Sequence, residues 1–362
     1  MRLALLIYGS LDTISGGYLY DRKLVEYLRG QGDTVEIISI PWRNYAAHLT
    51  DNFSPALYRR LKAFRGDILI QDELNHPSLF LLNRRLRNTD YAITSIVHHL
   101  RASEQHPAGI MPLYRAVERA YLCTLTGFVF NSRTTQRAVG ALMGQEVARS
   151  VVAVPAGDRL PINLGDADIR QRGMGLGPLR LLFVGNVIPR KGLHTVLAAL
   201  ARVVFPWTLD VAGDLRVASD YVRGLQEEVA RRGWGRREGA QQVKFWGAVT
   251  DEALARLASG SQVLVMPSSY EGYGIVYLEG MGFGLPAIGT TAGAAGEIIT
   301  DGVDGFLIAP EDAESLAERL RELDENRARL VAMSLAAQRR YAAHPTWEAS
   351  MAQIREFLSR LL

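Results

Sequence analysis

The 362-residue sequence has a single cysteine, Cys123. No internal disulfide and no cysteine-ligated metal cluster can form from it, which suits a reducing cytoplasm. No run reaches the ~18 consecutive apolar residues that a membrane-crossing helix needs. The opening Arg2-Leu3-Ala4-Leu5-Leu6-Ile7-Tyr8 is too short for a signal peptide and no small-residue cleavage site follows, so it reads as a buried first strand. There is no Gly-x4-Gly-Lys-Ser/Thr phosphate loop, and no His/Glu pairing has zinc-site spacing. Gly173, Gly175 and Gly177 imitate a dinucleotide fingerprint but precede a strand instead of following one, which disfavours a Rossmann dehydrogenase. Asp166-Ala167-Asp168 imitates a metal-binding Asp-x-Asp, yet it lies in a segment that reads as a linker, beside charged, solvated residues.

What is present fits a soluble globular chain: 48% hydrophobic and 22% charged residues exclude a disordered protein. The length predicts two domains of ordinary size. Net charge is +3 and unevenly spread, with 20 Lys+Arg against 16 Asp+Glu over residues 1–170 and 21 against 22 over 171–362. The N-terminal excess clusters at Arg59, Arg60, Lys62, Arg65 and at Arg84, Arg85, Arg87. Such clusters can face nucleic acid, anionic lipid or solvent alone.

Short apolar runs alternate with helix-period segments throughout, which predicts parallel sheets covered on both faces. Strands are predicted at 2–8, 34–40, 67–71, 91–97, 127–131 and 151–154, with helices such as Tyr18–Arg29 and Leu113–Leu125 between them. The pattern repeats with strands at 180–184, 208–212, 243–246, 262–266, 286–289 and 306–308. The Gly- and Pro-rich stretch 156–178 carries little apolar periodicity and reads as a linker. The predicted domains are residues 1–165 and 166–345, with a last helix over 346–362, after the break at His344-Pro345, packing back on the first.

Four segments carry candidate chemistry. The first is Pro267 to Glu279, which leaves a strand, passes Glu271-Gly272-Tyr273-Gly274 and enters a helix at Ile275. Strand ends of parallel sheets are where ligands bind, and a helix start offers unpaired N–H groups and a positive dipole end that suit a diphosphate. Two carboxylates would repel that anion, so Glu271 and Glu279 read as acceptors from sugar and ribose hydroxyls. The second is Leu181 to Gly192, another strand, turn and helix start, where Arg190 and Lys191 can meet a phosphate as a fork and a point charge. The third is Ser15-Gly16-Gly17, opening the helix from Tyr18. The fourth is His98-His99 at a strand's end, of which at most one serves, since neighbours on a strand point to opposite faces. Each also has a plain structural reading: a capped Gly-rich turn, a basic surface turn, a tight turn, a structural histidine.

Taken together, these segments closely resemble the retaining glycosyltransferases of family 4, the group 1 glycosyl transferases. The matching residues are Glu-x7-Glu at 271–279, Gly-Asn…Arg-Lys-Gly at 185–192, Ala212-Gly213-Asp214, Phe245-Trp246-Gly247 before Asp251-Glu252, and Gly296-Glu297-Ile298-Ile299 before Gly302 and Gly305. Ser15-Gly16-Gly17 and His98 fit more loosely. The resemblance implies an α/β chain of the GT-B fold, two Rossmann-like doubly wound domains with an interdomain cleft. It also implies transfer of a sugar from a nucleotide-diphosphate sugar to a hydroxyl acceptor with retention of configuration. By the same resemblance Arg190 and Lys191 grip the diphosphate and Glu279 binds ribose. Glu271 and the amides of Gly272, Tyr273 and Gly274, with Ile275 beside them, bind the transferred sugar. Gly16 and Gly17 close over the donor, and His98 contacts the sugar. Tyr273 stands where the family usually has Phe, and Gly280-Met281-Gly282 where it often has Ala-Met-Ala.

The resemblance implies no metal and no cofactor beyond the nucleotide-sugar co-substrate. The expected partners are that donor and a sugar, glycan or lipid-linked acceptor, without nucleic acid. The alternatives are a sugar-nucleotide epimerase or phosphorylase on the same fold, or a catalytically silent binding protein. The expected location is cytoplasmic. One further expectation comes from Ala56 to Arg65, which has four positive charges, no acid, and Leu57, Leu61 and Phe64 at helical spacing. It predicts weak, peripheral contact with an anionic membrane surface, against the alternative that the apolar residues pack inward.

Overall fold

The structure, a computed structural model, describes residues 1–13, 15–104, 106–235 and 240–362. It divides into two compact units, one of residues 1–155 with 345–362 and one of residues 156–344.

The first unit is built on a six-stranded parallel sheet of β1 (Arg2–Tyr8), β2 (Thr34–Ile40), β3 (Ile68–Asp72), β4 (Ala92–Val97), β5 (Gly127–Phe130) and β6 (Ser150–Val152), in the order β2-β1-β3-β4-β5-β6. Its central strands are apolar on both faces because helices cover both, and every residue of β3 is buried. The order reverses between β1 and β3, which leaves a crevice at their carboxyl ends. The helix Trp347–Ser359 belongs to this unit: Ser350 donates to the Val154 carbonyl at 2.6 Å, and Arg355 holds Asp33 at 2.7 Å. Asp33 also holds the N-terminal ammonium at 2.6 Å.

The basic stretch forms a short helix, Pro55–Lys62, and its apolar side faces inward. Leu61 is fully buried, and Leu57, Tyr58 and Phe64 pack around the same core. Arg60 faces Glu36 at 3.5 Å, and the Arg85 guanidinium lies 4.2 Å from the Tyr58 ring centre. Only the cationic side of the stretch therefore remains for an anionic surface. No helix among the described residues is long and apolar enough to cross a membrane.

The second unit repeats the design with β7 (Leu179–Val184), β8 (Trp207–Ala212), β9 (Gln241–Gly247), β10 (Val263–Val265), β11 (Ala287–Thr290) and β12 (Gly305–Ile308), in the order β12-β11-β10-β7-β8-β9. All neighbours are parallel, and the order reverses between β7 and β10. Its first boundary lies at Pro155 and not at residue 165. The backbone at Gly157 lies so close to the helix Ile275–Gly282 that a Cβ there would come within 2.7 Å of the Leu278 side chain.

Part of the segment read as a linker is a helix, Asp166–Met174. Asp168 accepts the Gly165 N–H at 2.9 Å, so this aspartate serves the helix's first turn. Ile169 is buried with Val331 and Leu335. Arg172 donates to the carbonyls of Ser259, Phe283 and Gly284 at 3.1, 2.7 and 3.0 Å, gathering orphaned C-terminal carbonyls from two helices.

The ends of β7 and β8 approach so closely that a Cβ at Gly213 would sit 1.9 Å from the Gly185 carbonyl oxygen. At Gly224, inside the helix Ser219–Arg231, nothing lies within 4 Å of the same added atom. Gly213→Ala is expected to lower unfolding free energy by about 2 kcal/mol or more, as overpacking does. Gly224→Ala is expected to be neutral or to stabilise by up to about 1 kcal/mol. Urea midpoints of both variants check this, and equal behaviour of the two would refute the close approach.

Candidate functional site

At the carboxyl end of β7 the chain turns through Gly185, forms a single turn at Pro189–Lys191 and enters the helix Leu193–Leu200. Gly192 takes φ +76°, and a Cβ there would lie 2.3 Å from the Pro267 carbonyl oxygen. That contact brings the turn against the segment leaving β10. The Ser269 N–H donates to the Arg190 carbonyl at 2.8 Å, and the Arg190 guanidinium donates to the Tyr270 carbonyl at 2.7 Å.

Between the two turns sits Glu271, 7% exposed. Its Oε1 accepts from Lys191 Nζ at 2.5 Å and from the Ser268 hydroxyl at 2.7 Å, and Arg190 stands 4.0 Å from Oε2. Burial alone would raise the Glu271 pKa; the Lys191 and Arg190 charges and the two hydrogen bonds outweigh it and hold the carboxyl below its usual range. The backbone at Glu271 is itself fixed, since its carbonyl accepts the Ala294 N–H at 2.9 Å.

Gly274, at φ +97°, starts the helix Ile275–Gly282. Tyr273 turns its ring inward, where its hydroxyl meets His344 Nε2 at 3.2 Å. Glu279 lies on the same helix, 6% exposed. Its Oε1 accepts from Arg159 Nε at 2.8 Å, and Arg159 also pairs with Asp251 at the start of the helix Asp251–Gly260.

In the first unit, Ser15 caps the helix Gly16–Gly30 by accepting the Tyr18 N–H at 3.2 Å. A Cβ at Gly17 would lie 3.2 Å from the His98 ring, so this glycine lets the helix start lie beside the histidine. His98 is buried after β4, with Nε2 3.3 Å from Asp21 Oδ1 and the Tyr20 ring edge-on at 5.4 Å. His99 instead pairs with Glu104 at 3.0 Å. Asp72, at the end of β3, completes a buried group with Asp21 and His98 whose ligand atoms lie within 4.8 Å of one another. Asp72 Oδ1 accepts the Leu74 N–H at 2.9 Å, while Oδ2 of Asp72 and Oδ2 of Asp21 are buried without a partner.

Burial and the field of Asp21 push the Asp72 carboxyl up to about 7. Burial opposes the charged form of His98, but the hydrogen bond to Asp21 and the charges of Asp21, Asp72 and Glu73 raise it to about 9. Behind this group lies a second, Glu73, His76 and Glu118, in which burial first of all pushes both carboxyls up to about 7 and the imidazole down to about 4.

The structure thus brings Arg190, Lys191 and Glu271 into contact and sets Gly272, Tyr273, Gly274, Ile275 and Glu279 along the adjoining helix start. Gly16, Gly17 and His98 gather in the first unit. Sequence reasoning missed Ser268, Arg159, Asp21 and Asp72. Asp21 had a signal: it falls on the buried face of its helix with Tyr18, Leu24, Val25 and Leu28. Arg159 had none, since it stands among glycines and prolines and its partner is 120 residues away.

The family described as "Glycosyl transferases group 1" matches residues 166–340. The glycogen synthase of Mycobacterium tuberculosis is 29% identical over 175 residues, 48% of this chain and 40% of that protein. The chain therefore spans less than half of that relative's length. The phosphatidyl-myo-inositol mannosyltransferase of Mycolicibacterium smegmatis is 26% identical over 385 residues, 98% of this chain and 92% of that protein. Among solved structures, Anabaena HepE in complex with UDP and glucose superposes with a TM-score of 0.78 at 18% identity, covering 99% of this chain and 100% of that one. That likeness is one of fold, the GT-B arrangement of two Rossmann-like units.

The carboxyl group of Asp72 yields a pH-dependent expectation. A folded-state pKa raised from 3.8 to about 7 means that the folded state holds the proton more tightly, so this group's contribution to stability falls as pH rises across that window. Asp72→Asn keeps an acceptor for the Leu74 N–H and removes the buried charge. Its unfolding midpoint is expected to exceed that of the parent protein at pH 8 by roughly 2–4 °C, as about 1 kcal/mol gives in a domain of this size, and to converge on it near pH 4. Thermal melts at both pH values check this; a gain independent of pH, or a loss at pH 8, would refute the assignment.

Proposed function

We propose that the protein moves a sugar from a nucleoside-diphosphate sugar to a hydroxyl acceptor, with retention of configuration and without a metal ion, a reading supported by the match of residues 166–340 to the glycosyl transferases of group 1. One observation carries the reading: two cations and a carboxylate, Arg190, Lys191 and Glu271, converge at the carboxyl ends of adjacent parallel strands, beside a helix start. HepE, which shares the fold, binds UDP and glucose in its own crystal structure.

Breaking the bond to the anomeric carbon leaves negative charge on the nucleoside diphosphate. Arg190, Lys191 and the helix start at Gly274 and Ile275 stabilise that charge. Glu271 accepts from hydroxyls of the transferred sugar, near the amides of Gly272 and Tyr273. Its carboxylate is already engaged by Lys191 and Ser268, which disfavours it as a covalent nucleophile and favours same-face attack assisted by the leaving group. Glu279 accepts from ribose hydroxyls. Gly16, Gly17 and His98 are the first unit's proposed contacts to the donor. The acceptor is a sugar, a glycan or a lipid-linked glycan, the last supported by the relative named for phosphatidyl-myo-inositol. A cytoplasmic enzyme, touching an anionic leaflet through arginines alone, fits this reading.

Calorimetry with UDP, ADP and GDP tests it first: at least one binds, and binding by none refutes the proposal. Glu279→Ala is expected to weaken free nucleotide and donor alike, whereas Glu271→Ala mainly lowers turnover; equal loss of nucleotide affinity in both would refute these roles. Arg190→Ala and Lys191→Ala are each expected to lower turnover at saturating donor about 100- to 1,000-fold, the usual effect of removing one donor to a developing charge. Near-parental turnover in either variant would remove that residue from the mechanism. EDTA is expected to leave turnover intact; inhibition reversed by added metal would overturn the metal-free assignment.

A further inference from the structure

Arg159 stands outside every motif, yet it is the residue that holds Glu279. The backbone two residues earlier rests directly on the helix Ile275–Gly282, since a Cβ at Gly157 would approach the Glu279 backbone nitrogen to 3.0 Å as well as the Leu278 side chain. The guanidinium then spans two helices. Its Nε donates to Glu279 Oε1 at 2.8 Å, and Nη1 turns away to Asp251. An arginine can grip one carboxylate with two parallel bonds. Here it grips two carboxylates with one bond each. Glu279 Oε2 consequently accepts no hydrogen bond from the described residues, although the side chain is almost wholly buried. With Oε1 fixed by the arginine and Oε2 left to accept, this oriented carboxylate points to a ligand that brings hydroxyl donors.

We propose that Arg159 is a positioning residue of the nucleotide site: by fixing Glu279 through Oε1 and Asp251, it presents Oε2 to the ribose and sets the preference for ribonucleotides over their 2′-deoxy counterparts. The inference rests on the reading of Glu279 as the ribose acceptor. A carboxylate free to rotate would gain less from the same hydroxyls, because the ligand would bear the entropy of ordering it. Burial alone would lower the Arg159 pKa, and the hydrogen bonds and charges of Glu279 and Asp251 raise it instead.

The test is calorimetry on the full chain with UDP, ADP and GDP, each against its 2′-deoxy form. The parent protein is expected to prefer the ribonucleotide about tenfold or more, the scale of a hydrogen bond to a charged group. Arg159→Ala is expected to lower ribonucleotide affinity about tenfold and leave deoxynucleotide affinity nearly unchanged, so that the preference collapses. Arg159→Lys restores most of it. Asp251→Asn, which leaves both Glu279 and the arginine in place, gives an intermediate preference and serves as the readout if Arg159→Ala does not fold. An unchanged preference in Arg159→Ala and Asp251→Asn overturns the proposal, and so does tighter ribonucleotide binding by Arg159→Ala, which would make the arginine a competitor for the carboxylate. Absence of binding by the parent protein to all six nucleotides overturns the nucleotide-site reading itself, a result distinct from both.

Discussion

Glu271 is a buried acid at the end of a strand, and it can be ionised there only because Lys191 and Arg190 face it from the neighbouring turn. The sheet topology makes that meeting possible. The strands β7 and β10 are adjacent although 80 residues separate Lys191 from Glu271, and the strand order reverses between them. At such a reversal the two turns diverge above the sheet and leave a crevice lined by both. The backbone then closes the distance at glycines. Gly192 lies against Pro267, and Gly293 lies against the Glu271 carbonyl, where a Cβ would come to 2.0 Å. A side chain at Gly192 would push the two turns apart and separate the acid from its cations, and one at Gly293 would displace the Glu271 backbone.

The first unit is also a six-stranded parallel sheet, with a different strand order and the opposite electrostatics. Its order reverses between β1 and β3, and there too charged residues collect at the carboxyl ends of strands: Asp72 after β3, His98 after β4, Asp21 on the first helix. Here acids outnumber the facing cation. Two carboxylate oxygens are left without partners, and burial with mutual repulsion raises the Asp72 carboxyl instead of lowering it. His98 is held as an imidazolium by this surplus. A charged imidazole donates from both nitrogens and accepts at neither. Any role for His98 toward a sugar oxygen is therefore that of a donor, its Nε2 occupied by Asp21 and its Nδ1 edge remaining for the task.

The strands were legible because buried parallel strands are short apolar runs bounded by turn residues: β1 and β2 fall at 2–8 and 34–40, as the pattern indicates. Periodicity was silent for one helix and incomplete for another. The helix Asp166–Met174 buries Ile169 and Gly173, which leaves no apolar periodicity to detect. The helix Pro55–Lys62 shows a clear periodicity, but periodicity gives the apolar side and not what covers it; Leu61 faces the core and not a lipid surface. The site divides in the same way. Arg190, Lys191, Glu271 and Glu279 were legible because each lies within a few residues of a strand-to-helix turn with glycines. Arg159 acts through a partner chosen by the fold, and nothing adjacent in sequence marks it, whereas Ser268 stands three residues from Glu271 and Asp72 at a strand's end.

Charge along the donor-side helix follows from these pairings. Around the helix start, Arg190 and Lys191 stand beside Glu271. Around Glu279, Arg159 stands against Glu279 and Asp251, a surplus of one negative charge. The helix dipole has the same sense, positive at Gly274 and Ile275. A nucleoside diphosphate is itself polar in this way, anionic at its phosphates and a neutral hydroxyl donor at its ribose. In the proposed pose, with phosphates at the helix start and ribose toward Glu279, its anion would meet Arg190, Lys191 and the positive helix end, and its hydroxyl protons the negative surplus. Reversed, it would set phosphate against two carboxylates. In the proposed reaction the same residues would thus fix the molecule's direction, and with it which bond is presented to the acceptor.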